Sequence, residues 1–409
     1  MAMPPLPKPS SFAQHWDLDP DVVFLNHGSF GACPRTVLAE QQRLRAQIEA
    51  EPVRFLHREL EAHMDTVRTA LAAFVGASPD DLALVPNATT GVNTVLRSLP
   101  FAPGDELLVT DHEYNACRNV LDFVAAQHRA RVVVVPIPFP IGGPQVVVDR
   151  VLAAANERTR LFLIDHVTSP TGLVMPVAEL VAKLHARGID TLVDGAHAPG
   201  MLPLDLRALG AAYYTGNCHK WLCTPKGTAL LHVRADRQHL VRPLVLSHGA
   251  NSSRSDRKHF RLEFDWTGTD DPTAFLCIPA ALRFLAGLLP GGMPALQRHN
   301  HELAVAGREL LCRALGIAPP APASMLGSLA AVPLPPGGDA LVGPLGLDPL
   351  QHALFERHRI EVPVMRWATP KLRLLRISPQ IYQSREQHEY LAAALAAELA
   401  GGAGTATRR

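Results

Sequence analysis

The chain has 409 residues, of which 47% are hydrophobic and 19% charged, and its formal net charge is +1 at pH 7. This balance is typical of a globular protein and excludes a disordered chain. A charge so close to zero gives no reason to expect a nucleic acid or a membrane surface as partner. The segment MAMPPLPKPSSFAQHW lacks the apolar core of a secretory signal, so we expect a cytoplasmic protein whose six cysteines are reduced.

Apolar runs rich in β-branched residues alternate with amphipathic stretches over the first 290 residues. Strands are predicted at 22–26, 82–86, 106–111, 131–138, 160–167, 190–195, 211–217 and 229–234. Helices are predicted between them at 36–50, 58–75, 90–98, 115–128, 146–155 and 176–187. This alternation predicts an α/β fold with a mostly parallel sheet covered by helices, whose ligands lie at the carboxyl ends of the strands.

The pattern changes after residue 290, where segments rich in proline and glycine separate shorter elements. We predict helices at 295–315, 348–357 and 384–399, and strands near 328–333, 359–364 and 371–377. A chain of this length exceeds the usual size of a single core. We therefore divide it into an arm (1–20), a large domain (21–290), a smaller α+β domain (291–400) and a tail (401–409) that is expected to fray.

Lys220 follows a predicted strand that ends at Asn217, in an apolar segment. Burial of an ammonium group is costly, and an amine that forms an imine with an aldehyde cofactor avoids that cost. Taken alone, such a lysine is more often a surface residue, so its meaning depends on the residues around it.

Asp194 ends another predicted strand and is followed by Gly195, His197 and Gly200. Small residues leave room for a flat ligand to approach the backbone. A carboxylate at this place keeps a pyridine nitrogen protonated, as pyridoxal phosphate (PLP) requires. A helix N-cap explains the same aspartate without any ligand.

Two further segments have weaker signals. Thr89 and Thr90 open a predicted helix after a strand, which is a favourable place for an anion, although helix capping explains them equally. His112 and Tyr114 follow the strand at 106–111. An aromatic ring there is placed to stack on a flat cofactor, and a packed loop residue is the alternative interpretation.

In this order, these segments resemble the class V aminotransferase family of fold-type I PLP enzymes, most of all its isopenicillin N epimerase-like branch. The resemblance covers most of the chain and runs through FLNHGSFGACPRTV (24–37), HEYNA (112–116), DHVTSPTGLVMP (165–176), VDGAHAPG (193–200), GNCHKW (216–221) and LRISPQIY (375–382). It implies the fold-type I architecture, with a large PLP-binding domain and a smaller C-terminal domain, and PLP as cofactor.

The resemblance also implies roles for the residues around the cofactor. Lys220 would form the internal aldimine, and Asp194 would bind the pyridine nitrogen with His197 close to the ring. The phosphate would be held by Thr89 and Thr90, with His219 as a further donor. Tyr114 is similar to the stacking residue, because Glu-Tyr-x-Ala aligns with the Glu-His-x-Ala of cysteine desulfurases, and His112 is the runner-up. Thr168 and Ser169 match the contacts to the phenolate oxygen.

On the substrate side, Arg376 matches the arginine that clamps the α-carboxylate, for which a bidentate guanidinium is well suited. Three weaker candidates are Asn26, His27 and Arg54. Thr267 and Thr269 lie in a segment, WTGTDD (266–271), that resembles the one reaching a neighbouring subunit's phosphate. The resemblance thus implies a homodimer with shared sites and an amino-acid substrate.

The chain departs from cysteine desulfurases in the stretch 361–376, which contains no cysteine. Persulfide chemistry of the desulfurase kind is therefore not expected. We favour removal of the Cα proton to give a quinonoid, followed by epimerisation or transamination, with β-elimination by a C–S lyase as the alternative. A zinc hydrolase is disfavoured because no HExxH motif is present. A non-catalytic relative is disfavoured because both Lys220 and Asp194 are present.

Overall fold

The computed structural model of the chain describes residues 5–337, 341–344, 346–367 and 369–403. Its strands, in chain order, are β1 (Val23–Phe24), β2 (Leu82–Val85), β3 (Glu106–Thr110), β4 (Arg131–Val135), β5 (Thr159–Asp165), β6 (Asp190–Asp194), β7 (Tyr213–Asn217), β8 (Ala229–Val233), β9 (Ala330–Leu334), β10 (Ile360–Glu361), β11 (Val364–Trp367) and β12 (Thr369–Ile377).

The helices are α1 (His27–Phe30), α2 (Arg35–Ala50), α3 (Leu60–Val75), α4 (Ala88–Ser98), α5 (Asn115–His128), α6 (Pro144–Ala154), α7 (Val177–His185), α8 (Leu206–Leu209), α9 (His259–Phe264), α10 (Thr273–Leu276), α11 (Ile278–Ala286), α12 (Gly292–Leu315), α13 (Pro349–His358) and α14 (Arg385–Ala403). A π-helical turn at Arg54–Glu59 precedes α3. Short 3₁₀ turns lie at Ser11–His15, Pro79–Asp81, Ala235–Leu240, His248–Asn251 and Ala323–Met325.

Seven strands form the central sheet, in the order β2-β8-β7-β6-β5-β3-β4. The neighbours from β7 to β4 run parallel, and β8 runs antiparallel to both β7 and β2. Alternate residues of β5 enter two different cores, because Phe162 and Ile164 face one and Leu161 and Leu163 face the other. Helices therefore cover both faces, and the predicted mostly parallel α/β architecture is confirmed.

The C-terminal part contains a three-stranded antiparallel sheet in the order β11-β12-β9, beside which α12 and α14 pack against each other. The sequence pattern grouped the run 22–26 with the central strands, and the structure corrects this assignment. Its strand β1 pairs in parallel with β10, with Val23 opposite Ile360. A two-residue strand has no periodicity that reveals its partner, so the sequence could not show this pairing.

The predicted helix 384–399 extends further than expected, since α14 continues to Ala403. Residues 401–403 of the expected frayed tail are therefore helical, and residues 404–409 lie outside the described residues. The short helices α8 to α11 did not appear in the sequence pattern. The domain boundary near residue 290 stays a prediction. Within the described ranges, no helix is long and apolar enough to cross a membrane.

Candidate active site

The site lies at the carboxyl ends of β5, β6 and β7, where each strand finishes on a polar residue. These are Asp165, Asp194 and Asn217, and Lys220 follows three residues after the last. Parallel strands present these ends at the same edge of a sheet. The pattern that marked Lys220 and Asp194 in the sequence therefore places them in one site.

Lys220 is half-buried, and its Nζ lies 3.1 Å from Nε2 of His197. Burial and the nearby Arg376 cation lower the pKa of Lys220 from 10.5 to about 8. The loop after α1 packs directly on this backbone. A Cβ added at Gly31, which has φ +70°, would overlap the His219 carbonyl and the Lys220 backbone, so only glycine fits there without strain. The amine is held in place and is partly neutral near physiological pH.

Asp194 is buried, and both of its carboxylate oxygens accept hydrogen bonds. The thiol of Cys117 donates to Oδ2 at 3.1 Å, and the backbone N–H of Ala196 donates to Oδ1 at 2.9 Å. Burial raises the pKa of Asp194, and the two donors and the Lys220 cation oppose that shift. A carboxylate supported in this way is suited to pair with a protonated ring nitrogen.

His197 is buried in the same corner, with a contact at each of its two ring nitrogens. Trp221 donates through Nε1 to His197 Nδ1 at 3.4 Å, while Nε2 faces Lys220. Burial and the Lys220 and Arg376 cations hold the pKa of His197 well below its usual range. A neutral imidazole therefore lies beside the lysine, and its place next to the cofactor ring stays a prediction.

The start of α4 presents Thr89 and Thr90, both half-buried. Asn87 caps this helix by accepting from the Thr90 N–H at 2.8 Å, and Asn217 accepts from the Ala88 N–H at 2.8 Å. His219 donates through Nδ1 to the Thr228 carbonyl at 2.9 Å, which leaves Nε2 for a further partner. Asn217 therefore joins the helix start to the strand end before Lys220. The predicted phosphate contacts Thr89, Thr90 and His219 lie on these two neighbouring segments, although Thr90 also donates its hydroxyl to Asn87 at 3.0 Å.

The two stacking candidates differ in their surroundings. His112 is enclosed, and both its ring nitrogens are occupied, by the Thr171 hydroxyl at 2.8 Å and the Ile137 carbonyl at 2.9 Å. It also makes an edge contact with Trp367. Tyr114 is 46% exposed and lies near Arg376, close enough to influence the pKa of that guanidinium. The geometry favours Tyr114 as the stacking residue and gives His112 a structural role.

Thr168 is fully buried, and its hydroxyl is committed to its own loop. It contacts Thr171 Oγ1 at 2.7 Å and accepts from the Leu173 N–H at 2.8 Å. Ser169 instead faces Arg376, which donates through Nη1 to the Ser169 carbonyl at 2.7 Å and to its Oγ at 3.1 Å. Of the two predicted phenolate contacts, Thr168 thus shapes the loop, while Ser169 orients the arginine.

Arg376 is buried on β12 without an acidic partner among the residues the structure describes. Its Nη2 donates to Ser29 Oγ at 3.1 Å and Asn26 Oδ1 at 3.5 Å, and its buried Nε has no hydrogen-bond partner. Burial lowers the pKa of Arg376 to about 10. A buried cation left with neutral acceptors and an unused donor is suited to receive a carboxylate.

Asn26 and His27 lie at the site, but in supporting positions. Asn26 donates to Glu361 Oε1 at 3.2 Å and accepts from Ser29 Oγ at 2.6 Å. His27 is bonded to the Tyr382 hydroxyl at 2.8 Å and to the Lys220 carbonyl at 3.0 Å. His27 therefore fixes the backbone at the lysine.

Three predicted residues are not brought to the site within this chain. Arg54 is exposed in the π-helical turn and faces Glu59 at 3.4 Å and Glu51 at 3.9 Å. Thr267 and Thr269 are exposed on the loop after α9. Thr269 lines a separate cavity of about 720 Å³ whose apolar walls are Val53, Leu56, Leu60, Met64, Leu262 and Trp266.

Several residues of the site were not predicted from the sequence. Ser29 orients Arg376, and Cys117 donates to Asp194. Trp221 orients His197, and Asn217 accepts from the first N–H of α4. Asn217 ends a strand, so the rule that found Lys220 and Asp194 also applied to it. The other three reveal their roles only through partners distant in sequence.

This set of residues fits PLP. Lys220 supplies the amine for an aldehyde, and Asp194 supplies a supported carboxylate for the ring nitrogen. The start of α4 supplies threonine hydroxyls for a phosphate, and Arg376 supplies a buried cation with one unused donor, Nε, for a substrate carboxylate. Gly195 lines the corner below Asp194, where an added Cβ would overlap the Tyr214 ring.

Known proteins share both the sequence and the fold. The family model for aminotransferase class-V matches residues 23–391. The isopenicillin N epimerase of Amycolatopsis lactamdurans is 38% identical over 392 residues, which cover 92% of this chain and 95% of that protein. A putative L-cysteine desulfhydrase 2 of Oryza sativa subsp. japonica is 32% identical, covering 96% of this chain and 87% of the relative. A mutant of a cystine C–S lyase, solved with glycine covalently linked to its PLP cofactor, matches with a TM-score of 0.77 at 22% identity and covers 94% of this chain and 98% of that one.

The chain belongs to the aminotransferase class-V family. The predicted family, the fold-type I architecture and the class of a PLP-dependent enzyme are confirmed. The roles of the individual residues stay predictions, supported by the geometry described above.

Proposed function

We propose that this protein removes and returns the Cα proton of an amino acid, as an epimerase, with transamination as the closely related outcome. The observation that supports this most directly is Arg376, a buried guanidinium with no acidic partner in the described part of the chain, close to Lys220. A substrate α-carboxylate bound there places Cα near the lysine. The identity of 38% to an isopenicillin N epimerase over nearly the whole chain points the same way.

Each residue of the site has a different role in the proposed reaction. PLP, when bound, withdraws electrons from Cα through its protonated ring. Asp194 stabilises that protonated ring nitrogen, and Arg376 fixes the carboxylate with Ser169 and Ser29 behind it. Lys220 would hold PLP through its amine, and the same amine, when free, would accept the Cα proton. Its pKa of about 8 leaves a useful fraction neutral near physiological pH.

A second candidate is β-elimination by a C–S lyase, because a putative L-cysteine desulfhydrase is 32% identical across almost the whole chain. Desulfurase chemistry on a protein thiol is not supported. All six cysteines are unpaired, and five of them are buried. Burial raises the pKa of each thiol, that of Cys33 to about 12, whereas thiol attack needs an exposed thiolate.

The reaction is tested with a panel of amino acids in deuterated water. Epimerisation gives deuterium at Cα with inverted configuration and no keto acid. Transamination gives a keto acid only when an amino acceptor is supplied, and β-elimination gives a keto acid and ammonia without one. A persulfide trapped on a cysteine, with alanine as co-product, contradicts all three.

The homodimer is also a proposal. Several large apolar side chains are exposed on one copy, among them Phe30, Val53 and Leu246 at 75%, 60% and 63%, and a partner would cover such surface. Thr267 and Thr269, which are exposed on their own chain, would then reach the partner's phosphate. Sedimentation equilibrium of the purified protein tests this, since a monomer at micromolar concentration would contradict it. The cytoplasmic location likewise remains a proposal, supported by the six unpaired thiols.

A further inference from the structure

Three carboxyl groups and one thiol lie together next to the ring-nitrogen site. We call this group the buried acid cluster and define it as Glu113, Cys117, Asp165 and Asp194. One oxygen or sulfur from each of Glu113, Cys117 and Asp194 lies within 4.8 Å of the other two. Asp165 is the direct neighbour of Asp194 across β5 and β6. All four residues are buried.

The three carboxyl groups are not equally supported. Asp194 receives the Cys117 thiol and the Ala196 N–H. Asp165 has one buried oxygen, Oδ2, without a hydrogen-bond partner, and Glu113 has both oxygens buried without one, as far as the described residues show. Hydrogen bonds to a carboxylate favour its charged form. Asp194 is thus the best placed of the three to be an anion, and Glu113 the worst.

Cations do not balance three negative charges here. Lys220 acts on Asp165 and Asp194, and it is the group that becomes covalently occupied in the proposed function. Arg118, the cation that acts on Glu113, is itself bound to Asp122 at 3.0 Å. Like charges in a buried site disfavour one another's ionisation, so protons must remain on part of the cluster.

Two further titratable groups beside the cluster, Tyr214 and His166, are neutral. Tyr214, bonded to His166 at 2.9 Å, has its pKa raised well above the usual range by burial and by Asp194. Burial lowers the pKa of His166 to about 4. Neither residue supplies a positive charge to the carboxyl groups.

We propose that Glu113 is held as a neutral carboxylic acid and acts as a positioning residue for Asp194, so that Asp194 bears the negative charge that faces the PLP ring nitrogen. One oxygen of Glu113 lies within 4.8 Å of one oxygen of Asp194, so in this proposal the Glu113 O–H is directed toward Asp194, beside the donors Cys117 and Ala196. The role toward PLP rests on the proposed function, whereas the protonation of Glu113 does not. In support, burial and the two neighbouring aspartates raise the pKa of Glu113 well above its usual range.

Infrared spectroscopy of the wild-type protein tests whether Glu113 carries a proton. A protonated carboxyl has a carbonyl band separate from that of carboxylates and sensitive to deuterium. We expect such a band at neutral pH, shifted when the protein is labelled with ¹³C-carboxyl glutamate. The other buried glutamates within the described ranges, Glu106 and Glu263, each pair with arginine. The absence of a protonated band, or a band that moves only with labelled aspartate, would overturn the proposal.

Two variants assign the band. Glu113→Gln should abolish the band that shifts with labelled glutamate, and the matched control Glu106→Gln, which removes an arginine-paired glutamate, should leave it unchanged. A glutamate-labelled band that survives in Glu113→Gln overturns the assignment. Should Glu113→Gln fail to fold, the labelled wild-type protein decides the question alone.

The positioning role is tested by measuring the protonation of the cofactor's ring nitrogen. In holoenzyme reconstituted with PLP labelled with ¹⁵N in the ring, Glu113→Gln should keep the wild-type nitrogen shift, because the amide is also a neutral donor. Glu113→Leu should move the shift toward the unprotonated value, and an unmoved shift overturns the role. Failure of the proposed function is separate, since it appears in the products of the amino-acid panel in deuterated water, whereas the infrared band does not depend on turnover.

Discussion

Nζ of Lys220 and Nε2 of His197 lie 3.1 Å apart, and the hydrogen bond at Nδ1 of the same imidazole fixes which of these two nitrogens donates to the other. Trp221 Nε1 can only donate, and it donates to His197 Nδ1. In the neutral imidazole the proton is then on Nε2, where it points at the lysine nitrogen. This arrangement favours a lysine with a free lone pair, the form that attacks an aldehyde.

The first prediction concerns pH. The rate at which cofactor-free protein captures PLP should rise with pH around a midpoint near 8 and then level off, because the pKa of Lys220 is lowered to about 8 and only the neutral amine attacks. Stopped-flow absorbance measures this rate. Arg376→Met should move the midpoint upward, since the Arg376 cation is the second cause of the shift after burial. A wild-type midpoint near 10.5, the ordinary lysine value, would contradict the assignment.

The second prediction is that Lys220 is the attachment site. Borohydride reduction should fix the pyridoxyl group on the peptide containing Lys220, located by mass mapping. Lys226 is the matched control, because it lies six residues away and burial also lowers its pKa. Lys226→Arg should keep the label and Lys220→Arg should lose it. A label on Lys226 would refute the prediction.

Asp194→Asn should keep the cofactor and lose most turnover. The amide has nearly the same shape but does not stabilise a protonated ring nitrogen. A loss of about two pKa units of support corresponds to about 2.7 kcal/mol, or about 100-fold in rate. Asp165→Asn is the control from the same register of the neighbouring strand and should lose much less. Turnover and bound cofactor are measured together, and equal losses in the two variants would contradict the role.

Arg376→Ala should weaken binding of amino acids far more than binding of the corresponding amines. Loss of a charge-assisted pair is expected to cost about 2–3 kcal/mol, or about 30- to 150-fold in Kd. Arg373 is the control, since it is buried on the same strand but pairs with Asp348 at 3.0 Å. Arg373→Ala should lower stability without changing the ratio of the two affinities, which spectral titration measures. Equal weakening of amino acids and amines by Arg376→Ala would make Arg376 structural.

Tyr114 and His112 are distinguished by which property their loss changes. Tyr114→Ala should weaken PLP binding by about 0.5–1.5 kcal/mol, the worth of one aromatic contact, and Tyr114→Phe should restore it. His112→Phe should instead cost about 1–3 kcal/mol of folding stability, because the Thr171 hydroxyl and the Ile137 carbonyl lose their partner. Equilibrium dialysis and chemical denaturation measure the two effects. A reversed outcome would make His112 the stacking residue.

The sequence predicted those features that depend on strand ends and missed those that depend on distant partners. Lys220 and Asp194 follow or end buried strands, so a one-dimensional pattern locates them. The bond from Cys117 to Asp194 spans 77 positions, and that from Arg376 to Ser29 spans 347, so no local pattern reveals either. Arg54 was carried over from the resemblance, but within this chain its side chain turns toward Glu51 and Glu59.

The pairing of β1 with β10 has a consequence for the order in which the protein is made. Asn26 and Arg376 meet across 350 positions, and Asn26 also bridges to Ser378. During translation the segment 23–26 therefore lacks its partner strand until residues 360–378 have left the ribosome. Contacts of such separation form late. The sheet that carries Lys220 can assemble first, whereas the contact between Asn26 and Arg376 forms only after residue 376 has been made.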